Sequence, residues 1–217
     1  MKCINIDSIS TPSKIPTFGR IKDSGPGDDL IPIKLIKIGI SLIAPILVNV
    51  FSKSLVQGVF PSRLKIAKII PIFKSGQRKL PENYRPISIL SSLSKILENL
   101  MYARLIDHLT MNRILIPQQF GFRKNCSPQN AILTLLDKIT QALDEKQVAI
   151  GLLLDLSKAF DCINHQIVLK KLKHYGVCGI SLKWFQSYLS DRSQYVLLNE
   201  VKSNKLLTKT GVPRVRS

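Results

Sequence analysis

Acidic residues are scarce in this chain of 217 residues: 14 Asp and Glu stand against 32 Lys and Arg, a formal net charge of +18. A neutral metabolite is a poor match for so one-sided a surface. A polyanion is a good one, with nucleic acid first and an anionic membrane surface as the competitor. Long apolar runs are also missing. The longest uncharged apolar run, residues 38–51, holds 14 residues and contains Pro45. It falls short of the roughly 20 residues of a bilayer span and reads as a kinked core helix. The N-terminus lacks the charged, apolar and small-residue order of a signal peptide. The four cysteines contain no CxxC pair, which fits a reduced, intracellular protein. His108, His165 and His174 share no ligand spacing with them, which argues against zinc. The chain shows no internal repeat or low-complexity tract.

What is present is enough apolar material for a core: 45% of the residues are hydrophobic, in a length suited to one large domain or two small subdomains. Residues 1–29 are polar and aperiodic and read as an irregular start. Helical spacing runs from Leu30 to the "GVFP" stop at Gly58, with Lys34 and Lys37 on the other face. Residues 64–74 and "YRPISIL" read as strands around a basic turn. Residues 92–109 and 130–143 carry helical periodicity, as do "HQIVLKKLKHYG", stopped at Gly176, and "SLKWFQSYLSDR". "SQYVLLNE" and "KLLTKTGV" read as a hairpin pair. Residues 147–156 form a nearly continuous apolar run, the pattern of a strand buried on both faces.

That run ends in a carboxylate, within "GLLLDLSKAFDCINH" (151–165), and Asp161 follows Asp155 by six residues. A carboxylate leaving a buried strand is costly unless it caps a helix, meets a base, or binds a metal ion such as Mg²⁺. The residues alone leave these readings open. Extended chain would hold Asp155 and Asp161 roughly 20 Å apart, too far to share an ion. Asp161 therefore reads as a shaper or cap of the turn into the next helix, and Asp155 as the residue pointing into a site. "GDDL" at 27–30 sits in a loop before an amphipathic helix and is not read as catalytic. Trp184, Phe185 and Tyr188 fall at helical spacing and read as core.

"LLLDLSKAFDCINH" resembles motif A of reverse transcriptases encoded by non-LTR retrotransposons of the jockey-like and related LINE lineages. "GVFPSRLKIAKIIPIFKSGQRKLPENYRPISILSSLSKILENLMYARL", "QQFGFRKNCSPQNAI", "HYGVCGISLKWFQSYLSDRSQYVLLN" and "GVP" are similar to that family in the same order, from about Ile21 onward. The resemblance implies an α+β, right-hand polymerase fold: fingers-like residues 30–146, then an incomplete palm at 147–217 that carries motif A and stops at motif B, with the thumb absent. It implies two Mg²⁺ ions, an RNA template, a DNA primer and deoxynucleoside triphosphates, with no membrane partner. The nucleus is the implied compartment at the working step.

By the same resemblance Asp155 is the first catalytic carboxylate and the Leu156 carbonyl a further metal ligand. Phe160 lies under the incoming sugar and excludes a 2′-hydroxyl. Arg85, Arg123 and Lys124, with Lys95 behind them, contact triphosphate or template backbone, where Arg grips phosphate bidentately and Lys supplies a compact charge. The family continues "GVP" with Gln-Gly-Ser, whereas this chain reads "GVPRVRS"; loss of one base from CAG-GGT-TCG yields Arg-Val-Arg, as at Arg214 to Arg216. The paired-aspartate motif is not reached. One carboxylate cannot hold two ions at about 4 Å, so the chain alone is expected not to polymerise. The alternatives are a noncatalytic basic nucleic-acid-binding module derived from the polymerase, and a host-adopted interaction protein.

Overall fold

The computed structural model describes residues 25–156 and 158–213. The expectations for residues 1–24 and for the tail 214–217 lie outside them. The chain divides into two compact units, residues 1–106 with 158–217, and residues 107–157. This division joins early and late segments of the chain.

In the larger unit the chain enters through helices α1 (Ile33–Ile38) and α2 (Ile40–Gln57). The interruption between them falls at Gly39, and α2 runs on through Pro45. Gly58 ends α2 in the left-handed region, φ 65°, with its amide donating to the Leu55 and Ser54 carbonyls, a stop that glycine makes at no steric cost. By length and composition α2 meets the test for a membrane span, yet one face of it is core. Leu47, Phe51 and Leu55 pack with Ile33, Ile36, Phe60 and Trp184.

Strands β1 (Ile66–Phe73) and β2 (Tyr84–Leu90) pair antiparallel around the basic turn. Helix α3 (Ser92–Met111) follows and adds Ile96, Leu97, Leu100 and Met101 to the same core. After α5 (His165–His174) and α6 (Gly179–Leu189) the chain forms β3 (Arg192–Leu198), which lies parallel to β1. β4 (Val201–Lys202) and β5 (Leu206–Thr208) then both pair antiparallel with β3. The sheet order is β2-β1-β3-β4, with β5 also on β3. The three aromatic residues read as core are core: Trp184 is 1% exposed, stacks on Tyr188 at 5.6 Å and meets Phe185 edge-on.

Residues 25–31 are tied to the larger unit by polar bonds. Lys68 is buried and donates to the Pro26 carbonyl at 2.6 Å, which offsets the cost of desolvating its ammonium. In "GDDL", Asp29 accepts from the Ser91 hydroxyl at 2.5 Å and Asp28 pairs with Lys205 at 3.4 Å. Both acidic side chains therefore have structural partners. A Cβ on Gly27 would sit 2.6 Å from the Ser91 amide nitrogen, so the close crossing there requires glycine. Asp28 also bonds Tyr195, and burial together with that bond pushes the Tyr195 hydroxyl up to about 12. Cys126 and Cys162 carry free thiols.

The smaller unit holds the end of α3, a loop and α4 (Pro128–Asp144), whose first turn is capped by the Ser127 hydroxyl accepting from the Asn130 amide. No residue from 107 to 156 is buried. The expected buried strand at 147–156 does not form: these residues have no strand geometry, and Ile150 and Leu153 are 91% and 93% exposed. A strand buried on both faces needs a partner strand and a packed layer over each face. Among the described residues of the smaller unit no other segment is a strand and none is buried.

Candidate active site

In the larger unit, a cleft of about 410 Å³ opens on one face of the sheet. Ala67 and Ile69 of β1, Pro86 and Ser88 of β2, and Gln194 and Val196 of β3 form its floor, and Asp161 and the 208–213 segment form its wall. Side chains alternate along a strand, so Pro86 and Ser88 point to this face and Arg85 to the other. Arg85 is exposed, opposite Ile72 in the ladder.

The wall is built from two segments about 50 residues apart. Residues 158–162 make a tight turn: Lys158 takes φ 52°, and its carbonyl accepts from the Asp161 and Cys162 amides at 2.9 and 3.1 Å. Asp161 lies in this turn, but the cap of α5 belongs to Asn164, whose Oδ1 accepts from the Gln166 and Ile167 amides. Against the turn runs the segment after β5. The Gly211 amide donates to the Ile163 carbonyl at 2.8 Å and the Val212 amide to the Phe160 carbonyl at 2.9 Å. His165 Nε2 donates to the Gly211 carbonyl at 2.7 Å. Gly211 has φ 80°, and a Cβ there would stand 2.8 Å from the Asp161 carbonyl oxygen.

Arg192, which also lines the cleft, belongs to a charged cluster with Glu98. Arg192 is 3% exposed, donates through Nη1 to the Tyr188 carbonyl at 3.1 Å, and holds its guanidinium 4.8 Å above the Tyr188 ring. Its buried Nη2 has no hydrogen-bond partner among the described residues. Glu98 accepts from the Ser94 hydroxyl at 2.8 Å. Burial pushes the Glu98 carboxyl up, with the Ser94 bond and the Arg192 charge opposing it. Burial also raises the Tyr188 hydroxyl and lowers the Lys95 ammonium, the latter against the pull of Glu98. Lys95 thus lies half-buried beside a carboxylate.

The remaining predicted site residues belong to the smaller unit. Asp155 and Leu156 are exposed in the 147–156 segment. Arg123 donates to the Ile116 carbonyl at 2.9 Å and so braces its own loop, while Lys124 is exposed. Phe160 and Asp161 are the two predicted residues that the fold brings together with a second motif, the "GVP" segment. The described residues contain no cluster of three or more side chains able to hold a metal ion.

The family profile described as "Reverse transcriptase (RNA-dependent DNA polymerase)" matches residues 72–214. The chain belongs to the reverse transcriptase family. It is 38% identical over 71% of its length to "Probable RNA-directed DNA polymerase from transposon BS" of Drosophila melanogaster, covering 17% of that protein. It is 31% identical over 87% of its length to "RNA-directed DNA polymerase from mobile element jockey" of the same species, covering 21%. A third relative is "Retrovirus-related Pol polyprotein from type-1 retrotransposable element R1" of Bradysia coprophila, 30% identical over 78% of this chain and 17% of that protein. The chain thus spans about a fifth of the length of the curated relatives it matches. Non-LTR retrotransposon polymerases are its relatives, and it forms a reverse transcriptase domain region of mixed α and β content with one sheet.

Reverse transcriptases are metal-dependent enzymes working on a nucleic-acid template with nucleotides. The residues described here do not make a complete metal centre. Asp155 offers one accessible carboxylate, and no set of three ligands gathers anywhere among the described residues. Sequence reasoning missed His165, Gly211 and Arg192. The histidine was weighed only for zinc, and no local spacing pairs it with a glycine 46 residues later.

Proposed function

We propose that this chain is the fingers and first palm portion of an RNA-directed DNA polymerase of a non-LTR retrotransposon, with residues 30–146 as fingers and 147–217 as partial palm in a right-hand fold. The observation that carries the reading is the seam between Phe160–Ile163 and Gly211–Val212. It joins the motif A turn to the "GVP" motif along a cleft large enough for part of a nucleotide.

In this reading Asp155 and the Leu156 carbonyl face Mg²⁺ in the parent protein, and Phe160 discriminates against the 2′-hydroxyl. Arg85, Lys124 and Lys95 serve phosphate groups of nucleotide or template. Arg123 orders the loop that carries Lys124, since its guanidinium is bonded to that loop's own carbonyls. No step through a metal is assigned to this chain alone. The RNA template, DNA primer, deoxynucleoside triphosphates and nuclear site of action belong to the same proposal. The noncatalytic nucleic-acid-binding module is kept as a second reading because the charge of +18 is present while a grouped ligand set is not among the described residues.

Primer extension on an RNA template with deoxynucleotides and Mg²⁺, beside Asp155→Asn, separates the two. Synthesis that disappears in the variant supports a catalytic chain. RNA binding without synthesis, weakening steeply with salt, supports the binding module.

A further inference from the structure

We propose that His165 and Gly211 form a latch that sets the position of Phe160, so that these two residues govern how well the site distinguishes a deoxynucleotide from a ribonucleotide. The inference rests on the reading of Phe160 as the residue beneath the sugar. His165 is a positioning residue here, acting through backbone and never on the nucleotide itself.

Three hydrogen bonds define the latch. His165 Nε2 holds the Gly211 carbonyl at 2.7 Å, the Gly211 amide holds the Ile163 carbonyl at 2.8 Å, and the Val212 amide holds the Phe160 carbonyl at 2.9 Å. Together they close a loop in space: α5 grips residue 211, which grips the turn just before α5, and residue 212 grips Phe160 itself. The position of Phe160 is therefore coupled to a side chain on a helix, a rigid element whose N-terminus is fixed by the Asn164 cap.

Geometry explains why residue 211 is glycine. At φ 80° an L side chain is strained, and a Cβ would stand 2.8 Å from the Asp161 carbonyl and 2.9 Å from the Phe160 carbonyl. Any larger residue must push the two segments of the seam apart at the point where Phe160 is held. Phe160 keeps 42% of its surface open, which leaves a face for a ligand. Rejecting a 2′-hydroxyl means sensing a single oxygen atom by steric contact, so a shift of the ring by about 1 Å is enough to spoil it. A ring on a turn achieves that tolerance only when its backbone is anchored from outside the turn, and the 211–212 segment is that anchor.

The test uses the full chain with Mg²⁺ and two readouts. Residue-resolved amide hydrogen exchange reports the latch, and displacement of a bound fluorescent triphosphate by dATP or ATP reports sugar preference. His165→Ala is expected to speed exchange at Gly211 and Val212 about tenfold and to lower the dATP-over-ATP preference about tenfold, with the α3 amides unchanged. His165→Gln, which keeps a donor near the Nε2 position, is expected to restore both. Phe160→Ala is the reference and should abolish the preference without touching the exchange rates. Unprotected Gly211 and Val212 amides in the unsubstituted chain would show that the latch does not exist. Faster exchange in His165→Ala with the preference intact, while Phe160→Ala loses it, overturns the inference and leaves the proposed function standing. No preference in the unsubstituted chain, or none lost in Phe160→Ala, overturns the selector role itself.

Discussion

Helices α2 and α4 are both rich in leucine and isoleucine, and they fare differently. Leu47, Phe51 and Leu55 of α2 are buried, as are Ile96 and Leu97 of α3. On α4, Ile132, Leu133, Leu135, Leu136 and Leu143 all keep more than half of their surface exposed. The difference lies in what each helix finds beside it. The larger unit supplies Trp184, Phe60 and Met101 for α2 and α3 to close on, whereas the described residues of 107–156 hold the end of α3, α4 and irregular segments. An amphipathic helix takes most of its stability from the surface it covers, so equal apolar content yields unequal stability.

Substitutions in the two regions sharpen this contrast. The largest effect is expected for Trp184→Ala. It removes a ring stacked on Tyr188 and bonded through its indole nitrogen to the Ser54 hydroxyl at 3.1 Å. Denaturant titration should register a loss of about 3–5 kcal/mol. An intermediate and pH-dependent effect is expected at Glu98. Its carboxyl is raised from an ordinary value of 4.5 by burial, so the folded chain holds the proton after the unfolded chain has released it. The unfolded state then binds fewer protons, and stability falls as pH rises above about 4.5 until the folded carboxyl has also ionised. Melting curves of the parent and Glu98→Gln should therefore diverge across that interval, with the parent losing ground as pH increases; parallel curves would remove Glu98 from the account. The smallest effect is expected for Leu153→Ser. At 93% exposure the side chain has little burial to lose, and the change in unfolding free energy should stay within about 0.5 kcal/mol. A cost of several kcal/mol there would mean that the 147–156 leucines are covered in solution, and the contrast between the two regions would fall.

Much of the fold was legible in local pattern. The Gly58 and Gly176 stops, the basic turn between β1 and β2, and the aromatic spacing of α6 each follow from preferences a residue expresses with its near neighbours. The exposure of residues 147–156 was not legible, because a continuous apolar run states what a segment can cover and not whether a neighbouring strand or layer is there to receive it. The same limit applied at the site. Asp155 and Phe160 stood out within one motif, while the Val212 amide that holds the Phe160 carbonyl lies in a separate motif about 50 residues further along the chain. Arg192 follows a helix end and two polar residues, which reads as surface, yet it is buried beneath Phe60 and Tyr188.

The sequence by itself determined the helices and strands of the larger unit, the polyanion-seeking charge and the reverse transcriptase family, because periodicity, composition and motif order are properties of the chain that need no partner in space. Tertiary structure alone decided which apolar faces are covered, which lysine and arginine charges lie buried, and that a histidine and a glycine from distant motifs meet at the turn bearing Phe160. Those outcomes depend on contacts between segments far apart in the chain, and such contacts leave no trace in local spacing.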